Sequence, residues 1–362
     1  MNYRLATILD REAVAADITK VIDLNLADPV SQFQIIYEST GVSAGAPAAL
    51  AAKCVTKIEL VDGSDVLFSL SGTEAQAVDF YHRGIEPANQ NIYLAGNNAE
   101  MVFNLNFGRW LWDTVYAFNP AKFTNPQLKI TIDRDAGGCT SVAGSLTVLA
   151  NIFDEKAVDP TGFLMHKEIK SYAFGSATHE YTDLPTDYPY RKLFIGSLIP
   201  GTGADYIFNT IKLSEDNDRR IPFNHSVRDI LRIIVGQGKP YREKQVCTVG
   251  GTNGYFYCTP TYWPKLDVCQ WEGENNPMTV TIFGGDGGRG NIYGQGGLFN
   301  LNIGIEGYCP HGILEIPFGM QNEPADWYDV TKVGSLRLDV LSVTGRGATE
   351  SCEIMLQQER KY

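Results

Sequence analysis

With 362 residues, 44% hydrophobic and 20% charged, the chain has the make-up of an ordinary globular protein long enough for two domains with separate cores. A formal net charge of −12 argues against a large contact with nucleic acid phosphate, which needs a surplus of Lys and Arg on one face, and leaves room only for a local basic patch. No apolar run reaches the roughly 18 residues of a membrane span, and the opening MNYRLATILDREAVAAD lacks the basic and apolar regions of a signal peptide, so neither insertion nor export is expected.

Residues 1–18 read as an N-terminal arm with a short helix around Arg11 to Asp17. Ile18 to Tyr37 follows as two alternating strands interrupted at Asp28-Pro29, because proline cannot donate into a ladder. After the small-residue stretch Gly41 to Ala52, Val55 to Leu60 alternates as a half-buried strand, Asp62-Gly63 signals a hairpin, and Val66 to Leu70 returns. A helix starts at once: Ser71 with Glu74 makes a capping box, and Gly84 stops it. Met101 to Phe107, Gln127 to Ile132 and Gly144 to Phe153 are further strands, and Trp110 to Phe118 is an aromatic run between them.

The hairpin and helix reappear at Phe208 to Gly238. Ile58-Glu59-Leu60 matches Ile211-Lys212-Leu213, the turn Asp62 to Asp65 matches Glu215 to Asp218, and Ser71 falls opposite Asn224, all at one offset of 153. Val227, Ile230, Leu231, Ile234 and Val235 form the apolar stripe of the second helix, closed by Gly236 or Gly238. The ending is repeated as well: Pro120-Ala121-Lys122-Phe123 leads into the strand pair of the first half, and Pro324-Ala325-Asp326-Trp327 into that of the second, Ser335 to Leu341 and Cys352 to Gln358. Strands without βαβ alternation, together with 36 Gly and 11% aromatic residues, predict an all-β protein. The specific expectation is two tandem eight-stranded jelly-roll β-sandwiches, one helix after the fourth strand of each, over residues 19–160 and 165–362. Residues 246–302 are a loop insertion in the second, carrying GGTNGYFYC and FGGDGGRGNIYGQGG.

Motifs for chemistry are sparse. The seven cysteines (Cys54, Cys139, Cys247, Cys258, Cys269, Cys309, Cys352) are odd in number and widely spaced, which fits reduced thiols; the even spacing of Cys247, Cys258 and Cys269 is not a zinc pattern. His82, His166, His179, His225 and His311 are scattered, and none lies in a metal-hydrolase motif. Gly284 to Gly290 has no GK[ST] after it and reads as a surface loop rather than a phosphate cradle. The sequon Asn224-His225-Ser226 reads as a helix cap rather than a glycosylation site. No nucleophile elbow is present, so no catalytic, cofactor or metal residues are assigned, and the protein is read as a non-enzyme.

Three stretches carry a family likeness: Lys57 to Ala75 (KIELVDGSDVLFSLSGTEA), His179 to Leu198 (HEYTDLPTDYPYRKLFIGSL) and the closing CEIMLQQERKY. With the tandem halves, they resemble the double jelly-roll major capsid proteins of tailless icosahedral viruses, the lineage of adenovirus hexon and of membrane-containing bacteriophages. The resemblance implies a structural virion protein, made in the host cytoplasm, whose trimers of pseudo-hexagonal outline build an icosahedral shell. Its implied partners are further copies of itself, penton or minor capsid proteins, and an internal membrane beneath the shell. The insertion is then expected at the outer end of the second jelly roll, in trimer contact or solvent. The alternative is a carbohydrate-binding or glycan-processing jelly roll, in which Trp263, Trp271, Tyr255 and Tyr257 stack on sugar rings.

Overall fold

The computed structural model describes residues 2–40, 48–94, 96–138, 143–249, 254–273, 281–293, 299–345 and 351–362; the side chains of 40, 269–273, 281–283 and 299 lie outside this description, as does Cys139. The first half contains β1 (Tyr3–Val14), β2 (Ile18–Asp23), β3 (Val30–Thr40), β4 (Val55–Asp62), β5 (Asp65–Leu70), helix α1 (Gly72–Arg83), β6 (Asn91–Tyr93), β7 (Ala99–Asn106), β8 (Pro126–Ile132) and β9 (Ala143–Phe153). One sheet runs β1-β9-β3-β7, and the facing strands run β2-β8-β4-β5. This alternation of sheets along the chain is the jelly-roll winding.

The second half repeats it with β10 (Gly162–Ala173), β11 (His179–Leu184), β12 (Tyr190–Gly196), β13 (Phe208–Glu215), β14 (Arg220–Ser226) and helix α2 (Val227–Gln237). An added block follows: β15 (Tyr241–Val249), β16 (Gly254–Tyr257), β17 (Pro260–Gly273), β18 (Thr281–Gly284), β19 (Arg289–Tyr293) and β20 (Phe299–Pro310). The half closes with β21 (Ile313–Pro317), β22 (Leu336–Ser342) and β23 (Ser351–Lys361), and its sheets run β10-β23-β12-β21 and β11-β22-β13-β14, the order of the first half. The chain is therefore a double jelly roll.

Each helix follows the fifth strand of its half, not the fourth, because β1 and β10 are the opening strands. The expected helix around Arg11 to Asp17 is absent: β1 runs antiparallel to β9. Register shifts between Thr7 and Leu9 and between Leu9 and Glu12 break its alternation, and Arg11 sits at φ 31°. With these bulges Ala6, Ile8 and the adjacent Leu9 all pack against the core, so the two-residue period of a regular strand is lost.

Both helices are capped by serine. The Ser71 Oγ accepts from the Glu74 amide at 3.3 Å, Glu74 Oε2 accepts from the Ser71 amide at 2.6 Å, and Gly84 ends the helix at φ 65°. In the second copy the cap is Ser226, whose Oγ accepts from the Asp229 amide at 3.2 Å; Asn224 is instead a β14 residue opposite Lys212. The hairpin turn there is longer, with Asp216, Asn217 and Asp218 at φ 47°, 58° and 67°, so the 153 offset that holds for β4 and β13 has slipped by the time the helix begins. The closing match shifts too. The short turn Pro120–Lys122, capped by Asn119, corresponds to Val330–Lys332, capped by Asp329, and Pro324–Asp326 is a separate turn upstream.

The two halves are not independent sandwiches. The sheets β2-β8-β4-β5 and β10-β23-β12-β21 merge into one eight-stranded sheet through a short parallel pairing of β5 with β10, His166 opposite Phe68 and Lys167 opposite Ser69. The added block crosses back over the first half: β17-β20-β15 forms a sheet with β6, Gln245 to Cys247 pairing parallel with Asn91 to Tyr93. Cys247, Phe256, Ile292, Leu301 and Ile303 are buried in the same core as the first jelly roll. The expectation of an insertion lying in solvent or trimer contact is thus corrected for these residues, since their alternating apolar face closes one side of that core.

Candidate functional surfaces

The seam between the halves holds a buried polar cluster. At its centre the Arg191 guanidinium on β12 donates from Nη1 to His82 Nδ1 and to Gln357 Oε1, each at 2.9 Å, and Gln357 Nε2 donates to His166 Nε2 at 2.6 Å. Beside it Lys192 pairs with Glu315 and donates to the Tyr81 carbonyl at 2.8 Å, while the Tyr81 hydroxyl donates to the Ile313 carbonyl at 2.7 Å. Burial, reinforced by the neighbouring cations Arg191 and Lys192, pushes His166 down to about 3 and His82 well below the usual histidine range, so both imidazoles are neutral. Burial also draws Arg191 down to about 10.

The last strand clamps the first half. Arg360 forms an ion pair with Asp65, the Tyr116 hydroxyl donates to Glu359 Oε1 at 2.6 Å, and the Tyr362 hydroxyl donates to the Ala117 carbonyl at 2.7 Å. The QQERKY ending, singled out in the sequence only for its likeness, is this clamp.

A second buried polar group lies under α1. Asp79 accepts from Arg83 Nη2 at 2.5 Å, Asn104 Nδ2 at 2.9 Å and Asn106 Nδ2 at 2.7 Å. The polar face of β7 is therefore covered by the helix. Glu74 is buried near Glu168 and Glu353, and burial followed by these like charges pushes it up to about 7.

Glycines set how closely the added block approaches the second jelly roll. Gly287 sits at φ 60° and a Cβ there would lie 2.2 Å from the Ile199 carbonyl oxygen and 2.3 Å from the Thr202 amide nitrogen. At Gly290 a Cβ would meet the Phe256 ring at 2.0 Å. The segment read as a surface loop is therefore a packed contact that only glycine permits.

On the outside, Trp110, Leu111 and Val115 are exposed on one loop, beside exposed Met320; Arg109 Nη1 ties the two segments together by donating to the Asn322 carbonyl at 2.9 Å. These exposed apolar residues flank that link between the halves. Of the four aromatics weighed for glycan binding, the three whose side chains are described lie in different surroundings. Trp263 borders a cavity with Tyr206 and Tyr262, Tyr255 lies under the Arg289 guanidinium at 4.6 Å, Tyr257 lines a different crevice with Leu198 and Pro200, and the Trp271 side chain is outside the described residues. Cys54, Cys247, Cys258, Cys309 and Cys352 are buried free thiols, and burial pushes Cys54 up to about 11 and Cys247, Cys309 and Cys352 up to about 12. Among the described residues no three His, Cys, Asp or Glu side chains are grouped to hold a metal, and no helix is long and apolar enough to cross a membrane.

No protein-family model matches the sequence, and no curated protein matches it. Solved structures do match. The chain is similar to the major capsid protein P2 from bacteriophage PM2, with 12% identity, 99% of this chain and 98% of that chain covered, and a TM-score of 0.58. It is similar to the STIV major capsid protein (12% identity, 99% and 96% covered, TM-score 0.62) and to the PBCV-1 virus capsid (10% identity, 99% and 94% covered, TM-score 0.59). At such identities the likeness is one of fold, over essentially the full length of each chain.

Proposed function

We propose that this chain is a structural virion protein, a major capsid protein whose trimers, pseudo-hexagonal in outline, tile an icosahedral shell. The observation that carries the reading is the end-to-end correspondence of two fused jelly rolls with capsid proteins of nearly the same extent. The physics of the fold supports it: a pseudo-repeated chain lets three copies present six similar faces, and the merged sheet with its polar seam makes the pair of sandwiches one rigid block. The boundary between the two building units falls in the segment between Phe153 and Gly162. In this reading the patch of Trp110, Leu111, Val115 and Met320 is a contact between copies, since exposed apolar area flanking a rigid link gains by burial. Neighbouring trimers are the first partners, and penton or minor capsid proteins and an internal membrane complete the proposed setting.

Light scattering on the purified protein at micromolar concentration, followed by electron micrographs, tests the proposal. Trimers or shells are expected. A stable monomer across assembly-like salt and pH overturns it.

A further inference from the structure

Beside the added block, three segments meet around a cavity of 310 Å³ lined by Gly203, Asp205, Tyr206, Tyr262, Trp263 and Asp286. Trp263 is 70% exposed and Tyr206 59% exposed, whereas Tyr262 is anchored against the core of the second jelly roll. Trp263 stands at a register shift of β17 with φ 49°, a backbone conformation that bulky side chains rarely adopt. Such a placement sets a large aromatic face in water at the expense of both strain and burial. The wall opposite is fixed by glycine: Gly285, at φ 110°, lies so close to Pro264 that a Cβ would be 2.6 Å from its ring, and Asp286 follows directly.

The charges around this cavity do not cancel. Among the described residues the Asp286 carboxylate has no hydrogen-bonding or ionic partner, and the Asp205 carboxylate has only Arg228, whose Nε stands 3.9 Å away on a largely exposed side chain. Partial burial and the Asp205 charge both push the Asp286 carboxyl upward, so the two carboxylates repel across the site. Arg232, whose charge also reaches Tyr262, pairs with Asp229 at 3.0 Å, and Arg289 stacks on Tyr255. Three aromatic rings and two under-neutralised carboxylates around one opening favour a positive charge twice over, through the ring faces and through direct Coulomb attraction. A neutral sugar would stack on Trp263 equally well but would leave the repulsion between Asp205 and Asp286 in place.

We infer that the cavity between Trp263, Tyr206, Asp205 and Asp286 binds an organic cation, an ammonium or guanidinium group presented either by a basic side chain of a second copy of this chain or by a separate molecule. The inference does not depend on the capsid reading.

The test uses the full chain labelled with 5-fluorotryptophan, the Trp263 resonance being assigned with Trp263→Phe. Tetramethylammonium and methylguanidinium are titrated as probes, with N-acetylglucosamine as the neutral control. A saturable shift of the Trp263 signal by the cations is expected, weakened about fivefold or more in Asp286→Asn and about tenfold in Trp263→Ala. Both positions are exposed, and Tyr206→Ala supplies an independent variant with the same expected loss. A shift by the sugar and not by the cations, an unchanged affinity in Asp286→Asn, or no saturable shift at all overturns the inference. A signal that moves with protein concentration alone, and is restored by tetramethylammonium, identifies the source as a second copy. Independence of protein concentration identifies a separate molecule.

Discussion

Arg191 and His82, 109 positions apart and in different jelly rolls, meet at 2.9 Å with the guanidinium donating to Nδ1 of a neutral imidazole. A cation facing a histidine is tolerable only while that histidine stays uncharged. The seam is therefore held by hydrogen bonds that require neutral rings, and it ties the end of α1 to β12 and, through Gln357, to β23.

Arg191→Ala removes the donor shared by His82 and Gln357, leaving Gln357 Oε1 unpaired and His82 Nδ1 with only the longer contact to Gln357 Nε2 at 3.4 Å. We expect a loss of about 3 kcal/mol, in the range for breaking a buried polar cluster. Hydrogen exchange should show lost protection in α1 and in β12 together. Loss confined to β12 would mean that the halves are coupled elsewhere.

Acid should open the same seam. His166 has an unfolded value near 6.5 and a folded value near 3, so its contribution is complete above pH 6.5 and is lost as pH falls toward 3. In His166→Gln, which retains an acceptor for Gln357, the decline in unfolding free energy between pH 6.5 and 4 should be smaller by about 2 kcal/mol. Urea titrations at a series of pH values measure it.

Much of this fold was legible in residues whose local and global preferences agree. Ser71, Glu74 and Gly84 cap α1 as their spacing predicts, alternation located β4, and the strands read at Met101 to Phe107, Gln127 to Ile132 and Gly144 to Phe153 are β7, β8 and β9. The opening strands were hidden because the bulges of β1 disturb the two-residue period. The longer hairpin turn at Asp216 to Asp218 moved the second cap from Asn224 to Ser226, a two-residue change that a fixed offset cannot reveal. The seam was illegible for a different reason: Arg191, His82, His166 and Gln357 come from four segments, and nothing local marks a residue whose partner is more than a hundred positions away.

Glu74 gives a pH response of opposite sign. Its carboxyl is raised from 4.5 to about 7, so between these values the folded chain retains a proton that the unfolded chain releases, and stability falls as pH rises. Glu74→Gln keeps an acceptor for the Ser71 amide and should reduce this fall by about 2 kcal/mol across pH 4.5 to 7. Part of the slope should persist, because burial also raises Glu243 to about 7.

The two candidate caps of α2 can be separated directly. Ser226→Ala should cost about 1 kcal/mol through the lost bond to the Asp229 amide, whereas Asn224→Ala, exposed on an edge strand, should change stability by less than about 0.5 kcal/mol. Equal effects, read from denaturation midpoints at constant slope, would contradict the observed capping.

The glycine contact between the added block and the second jelly roll yields the sharpest contrast. Gly63 and Gly287 have nearly the same backbone angle, φ 62° and 60°, so alanine meets a similar left-handed penalty of about 1 kcal/mol at both. At Gly63 a Cβ points into open space, while at Gly287 it would lie 2.2 Å from the Ile199 carbonyl oxygen, so the backbone of one segment must move. Gly287→Ala should therefore cost at least about 2 kcal/mol more than Gly63→Ala, because close-packed backbone cannot yield as a flexible side chain can. The displacement should also reach Phe256, which packs against Gly290 and lies in the core of the first half. Comparable thermal shifts for the two variants, or a Gly287→Ala protein with unchanged exchange around Phe256, would show that the added block rests on the jelly rolls without helping to hold them.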